Sequence, residues 1–121
     1  MQYMLLIYDD EATWARMSED DRNAMMADYF QFSEDLRKAG KHVAGDALQP
    51  LSTARSVRVR DGSAQTTDGP FAETKEALGG YYLVDVDSEA EALEWAARIP
   101  SARFGTIEVR PVVVFPVEAT A

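Results

Sequence analysis

Gln2-Tyr3-Met4-Leu5-Leu6-Ile7-Tyr8 opens the chain as a run that is apolar on both alternating faces, and Asp9 and Asp10 close it. A strand with one wet face alternates apolar with polar residues. One that is apolar on both faces needs cover above and below, so this segment belongs in the middle of a sheet. Tyr81-Tyr82-Leu83-Val84-Asp85-Val86, entered through Gly79-Gly80, has the same character in its first half.

Working outward from these two strands, a loop carrying Trp14 leads to Ser18-Glu19-Asp20-Asp21, which resembles a capping box. Met25, Tyr29, Phe32 and Leu36 then recur at helical spacing, predicting a helix from Glu19 to Ala39 that Gly40 stops. A short second strand starts at His42 and ends near Leu48-Gln49-Pro50. Ser56 to Arg60 alternates polar with apolar residues, and Asp61-Gly62 turns it into Ser63 to Thr67, so a β-hairpin with one wet face is expected. Asp68-Gly69-Pro70-Phe71 adds a rigid loop. Ser88-Glu89-Ala90-Glu91 begins a second helix with Leu93, Ala96 and Ala97 on its apolar side, and Pro100 closes it. Thr106 to Val113 is the last strand.

The resulting order, with both helices on one face of an antiparallel sheet, is the ferredoxin-like split βαβ arrangement of an α+β protein. Its other sheet face would expose the apolar side of two central strands, which soluble monomers rarely tolerate. Burial against the same face of a second copy gives a homodimer of the dimeric α+β barrel type, with a cavity between the sheets or at their edge.

Composition narrows the function. The 121 residues, 46% of them hydrophobic, suffice for one domain with a real core. A formal charge of -9, from 21 acidic and 12 scattered basic residues, repels nucleic acid and anionic membranes. With no cysteine there is neither a disulfide nor a thiolate site, which suits a cytoplasmic setting. The N-terminal run is too short to span a membrane and lacks a basic leader. A single histidine cannot anchor a typical zinc site, so neither a metal nor another cofactor is expected.

The chemistry-bearing residues each admit two readings. His42 and Asp46 lie a few residues apart, a spacing that places both on one strand face, as a general base and its orienting carboxylate. Alternatively His42 is a surface residue whose charge suits the preceding helix terminus. In the segment Asp68 to Glu76, Asp68, Gly69, Pro70, Phe71, Glu73, Lys75 and Glu76 form either the wall of a small-ligand site or a loop anchored by Phe71 with solvated charges. Tyr81 and Tyr82 point to opposite faces, as ligand-orienting hydroxyls or as aromatic packing. Glu108 and Arg110 read as a polar sheet face or an ion pair across a dimer.

The segment Asp68-Gly69-Pro70-Phe71-Ala72-Glu73-Thr74-Lys75-Glu76, then Gly79-Gly80-Tyr81-Tyr82, Glu94-Trp95-Ala96-Ala97 and Ile107-Glu108-Val109-Arg110-Pro111, resembles the DGPF-type members of the YCII-related family. The resemblance runs from Met4 to Pro111. It implies a ferredoxin-like fold, dimerisation through sheet faces and a cleft with the character of an active site. Related enzymes of the family carry a histidine on the first helix and an aspartate before the second helix's closing proline. Those positions fall at Tyr29 and Ile99 here, so their dyad is missing and dehydrochlorinase chemistry does not carry over. The DGPF-type branch also resembles proteins encoded beside alternative sigma factors.

Two functions follow as expectations. One is a small-molecule enzyme or ligand binder whose cleft is formed by Tyr29, His42, Asp46, Asp68 with its loop, and one of the paired tyrosines. There His42 or a desolvated carboxylate is the base and a tyrosine the acid. The other is a non-catalytic regulatory or protein-interaction module, linked to an alternative sigma factor, with the loop exposed and Phe71 turned outward.

Overall fold

The computed structural model describes residues 1–116. Six strands and three helices follow in the order β1 (Gln2–Asp9), α1 (Glu11–Arg16), α2 (Glu19–Lys38), β2 (His42–Ala47), β3 (Arg55–Arg60), β4 (Ser63–Asp68), β5 (Ala77–Asp85), α3 (Glu89–Arg98) and β6 (Thr106–Pro111). Single 3₁₀ turns occupy Leu51–Thr53 and Pro100–Arg103. The main sheet has the strand order β2-β5-β1-β6 with every neighbouring pair antiparallel, so the two doubly apolar strands lie side by side at its centre. This is the ferredoxin-like split βαβ order expected from the sequence.

Helix starts are local chemistry. Ser18 Oγ accepts the Asp21 amide at 3.0 Å and Ser88 Oγ that of Glu91 at 3.2 Å. The Glu91 carboxylate in turn accepts the Asp87 amide at 3.0 Å, which holds that acid below the usual carboxylate range. The segment expected to be a loop around Trp14 is instead helix α1, because Asp10 Oδ1 caps the Ala12 amide at 2.9 Å.

Packing is one-sided. Tyr3, Leu5, Ile7, Tyr82 and Val84 from the sheet meet Phe32 and Leu36 of α2 and Ala92 and Ala96 of α3. Phe32 sets its ring edge to Tyr82 at 5.0 Å and to Trp95 at 6.0 Å, the geometry that aromatic quadrupoles favour. The opposite sheet face carries Met4, Leu6, Tyr81 and Leu83 at its centre with no element of the described residues over them, and Glu108 and Arg110 sit beside Leu6 and Met4 at its β6 side. Tyr81 and Tyr82 thus do lie on opposite faces.

Two bulges shape the sheet end nearest α1 and the start of β2. In β5, Gly79 is the extra residue between the pairs Ile7↔Gly80 and Tyr8↔Leu78. In β2, Val43 is extra between His42↔Val84 and Ala44↔Leu83. One inserted residue inverts the facing of everything beyond it. His42 therefore shares the helix side with Val84, while Asp46, paired to Tyr81, belongs to the opposite face, and the expectation that they share one face is corrected.

The hairpin also departs from expectation. β3 and β4 form a separate two-stranded sheet with Val57 and Val59 both 61% exposed, so both of its faces are wet in this chain. Asp61 and Gly62 take positive φ angles of 52° and 77° in its turn, as an Asp-Gly hairpin requires. The last strand stops at Pro111 rather than Val113. No helix among the described residues is long and apolar enough to cross a membrane.

Candidate functional site

A cavity of about 640 Å³ opens between the helix side of the sheet, where β1 and β2 end and β5 begins, and the helices α1 and α2. Its construction begins with the alternation of β1. Tyr3, Leu5 and Ile7 point into the core, and the same two-residue period carries Asp9 to that side, where only 7% of it is exposed. A carboxylate in such a place needs hydrogen bonds. Trp14 Nε1, delivered by α1, donates to Asp9 Oδ2 at 2.9 Å. Oδ1 receives no donor among the described residues and keeps access to the cavity. The bulged Gly79 lies beside it, and a Cβ there would stand 3.4 Å from Oδ1.

Tyr29 reaches in from α2. Its hydroxyl and Ser101 Oγ are 2.5 Å apart, and Ser101 is fully buried on the turn that follows α3. Burial pushes the Tyr29 phenol above its ordinary value; hydrogen bonding to Ser101 opposes this, and the nearby charge of Asp9 adds to it. The net shift favours the protonated phenol. Trp14 leans on Tyr29 at 6.5 Å and stands edge-on to Phe104 at 5.8 Å, so the aromatic wall is braced from two sides.

Tyr82 forms the floor beside His42, its hydroxyl paired with Ser33 Oγ at 2.7 Å and its ring edge-on to the imidazole at 6.3 Å. Gly45 makes room for that ring, since a Cβ at this position would lie 2.8 Å from Tyr82 Cδ1. At the rim, the Tyr81 hydroxyl donates to Asp46 Oδ2 at 2.8 Å, and this hydrogen bond, with the carboxylate's charge, raises the phenol pKa. Apolar side chains dominate the mouth, where Met26, Phe30 and Leu48 are 48%, 72% and 51% exposed.

The structure brings Tyr29, His42, Asp46, Tyr81 and Tyr82 to this cavity. It places Asp68, Gly69, Pro70, Phe71, Glu73, Lys75 and Glu76 elsewhere, none of them among the residues that line this cavity. Asp68 ends β4 and pairs with Arg55 at 3.2 Å in full solvent. Gly69, at φ 89°, ties the loop back through its amide to the Ala54 carbonyl at 2.7 Å and through its own carbonyl to Ser56 Oγ at 2.9 Å. Phe71 is 80% exposed. Glu76 accepts Thr106 Oγ1 at 2.9 Å and joins the loop's end to β6.

Sequence reasoning passed over Asp9, Trp14, Ser33 and Ser101. For Asp9 a signal exists, because a carboxylate in phase with Tyr3, Leu5 and Ile7 is a buried polar residue by position. For Trp14 the signal is the Asp10 cap; Ser101 and Ser33 carry none, since each is defined by a partner 72 or 49 residues away.

A family model described as YCII-related domain matches residues 1–116. An uncharacterized protein of Rhizobium meliloti (strain 1021) is 36% identical over 117 residues, covering 95% of this chain and 94% of that one.

Proposed function

We propose that this chain, which belongs to the YCII-related family, binds a small, partly apolar molecule in the cavity beneath α1 and α2 and acts on it by acid/base chemistry. The observation that carries this reading is Asp9, a carboxylate nine-tenths buried whose Oδ1 faces an open, largely apolar cavity beside a protonated tyrosine. Well-formed apolar pockets with a few convergent polar groups are the usual form of a small-molecule site. In this reading Asp9 or His42 takes a proton and Tyr29, steadied by Ser101, gives one. The resemblance puts the family's helix-one histidine at about Tyr29, and this reading gives the proton-donor role there to the tyrosine, which lines the cavity.

The test uses the tryptophans as reporters. Trp14 lines the cavity, whereas Trp95 packs on Phe32 with Arg98 over its ring at 4.7 Å. In a Trp95→Phe background, small phenols, amines and carboxylic acids are titrated against Trp14 emission and thermal stability. A saturable change with a rise in melting temperature supports the reading. Silence from every class at millimolar concentration would refute it.

The uncovered sheet face favours a homodimer through Leu6, Tyr81 and Leu83, the interface proposed for the assembled protein. A second reading, a non-catalytic regulatory module contacting another protein such as an alternative sigma factor, rests on Phe71, whose 80% exposure is what that reading requires of the loop.

A further inference from the structure

The chemistry of the cavity wall is lopsided in charge. Asp9, Glu11 and Asp46 line it against the single guanidinium of Arg37. Glu11 and Asp46 are already engaged, Glu11 accepting the Leu51 amide at 2.7 Å and Asp46 the Tyr81 hydroxyl. Asp9 is different. It is the deepest of the three, and its only donor among the described residues is an indole N–H on Oδ2. A buried carboxylate with one neutral hydrogen bond is under-compensated and gains most from a cation at its free oxygen.

The surroundings suit the same occupant. Trp14 and Tyr29 stand beside Asp9, and aromatic faces attract ammonium groups through their quadrupoles. An anionic ligand would bring a second negative charge against Asp9 in a largely apolar cavity. A neutral alcohol would satisfy Oδ1 but leave the charge unbalanced. Met26, Phe30 and Leu48 at the mouth provide apolar contact for the rest of the molecule.

From this we infer that the ligand is an organic amine, its ammonium group seated on Asp9 Oδ1 beside Trp14 and Tyr29 and its apolar body extending past Phe30 to the mouth. The inference rests on the small-molecule reading of the same cavity and names its substrate class.

Three probes of one shape separate the possibilities: phenethylamine, 2-phenylethanol and phenylacetate, each titrated into the full chain by calorimetry. Phenethylamine is expected to bind at least about tenfold more tightly than 2-phenylethanol, a difference of ~1.4 kcal/mol, with phenylacetate weakest. Asp9→Asn should erase the amine's advantage over 2-phenylethanol. Because that variant could lose stability, the Trp14 indole N–H resonance of the unaltered chain is followed as well; the amine should move it and phenylacetate should not. If 2-phenylethanol or phenylacetate binds as tightly as the amine, the amine inference falls while the cavity remains a ligand site. If none of the three binds, the small-molecule reading falls with it.

Discussion

Replacing Tyr29 by phenylalanine removes one oxygen and strands another. In the native chain the Tyr29 hydroxyl and Ser101 Oγ hydrogen-bond to one another, and Ser101 has no exposure to water. Leaving a fully buried hydroxyl without its partner costs roughly 1–3 kcal/mol. Removing Ser101 instead, as Ser101→Ala, takes the partner from a tyrosine that is only partly buried, so the loss should be about 0.5–1.5 kcal/mol. The double variant deletes both ends and abolishes the orphan. Its loss should fall short of the sum of the singles by about 1 kcal/mol. The assay is a double-mutant cycle by urea denaturation. In a chain of this size the Tyr29→Phe loss also appears as a fall in melting temperature of about 4 °C per kcal/mol. Additive losses to within about 0.3 kcal/mol, or a Tyr29→Phe variant as stable as the parent, would refute the claim that Ser101 depends on this tyrosine.

Other outcomes follow from the same geometry. The raised Tyr29 pKa means the folded state holds that proton more tightly than the unfolded chain does. Its contribution to stability is therefore complete below the ordinary phenol value and is lost as pH rises through the folded-state value, so denaturation midpoints should decline in that alkaline window and decline less in Tyr29→Phe. Gly45→Ala forces a Cβ to within 2.8 Å of Tyr82 Cδ1 and 3.1 Å of the Tyr81 carbonyl; a loss of about 1–3 kcal/mol and weaker binding of any cavity ligand are expected by thermal melts and titration, and an unchanged variant would mean the floor is not packed as described. Leu83→Glu puts a charge at the centre of the uncovered sheet face, and sedimentation should show the proposed dimer converted to monomer; a parent chain that already sediments as a monomer at high concentration would end the dimer reading.

The architecture was legible in the sequence because its determinants are local. Two strands apolar on both faces take the centre of the sheet, Ser18 and Ser88 cap helices where their spacing to acidic residues said they would, and Tyr81 and Tyr82 divide between faces by simple alternation. Even Asp9 was within reach, being in phase with Tyr3, Leu5 and Ile7. Three things were decided only by the tertiary structure. The extra residue at Val43 sends His42 and Asp46 to opposite faces, because a period of two inverts with a single insertion and nothing around Val43 announces one. The pairing of Tyr29 with Ser101 and of Tyr82 with Ser33 arises from helices docking on the sheet, across separations that no local pattern encodes. The Asp68 to Glu76 segment, the most distinctive stretch of the chain, folds with the hairpin away from the cavity, because the Gly69 backbone bonds to Ala54 and Ser56 rather than to the strands that build the cavity wall.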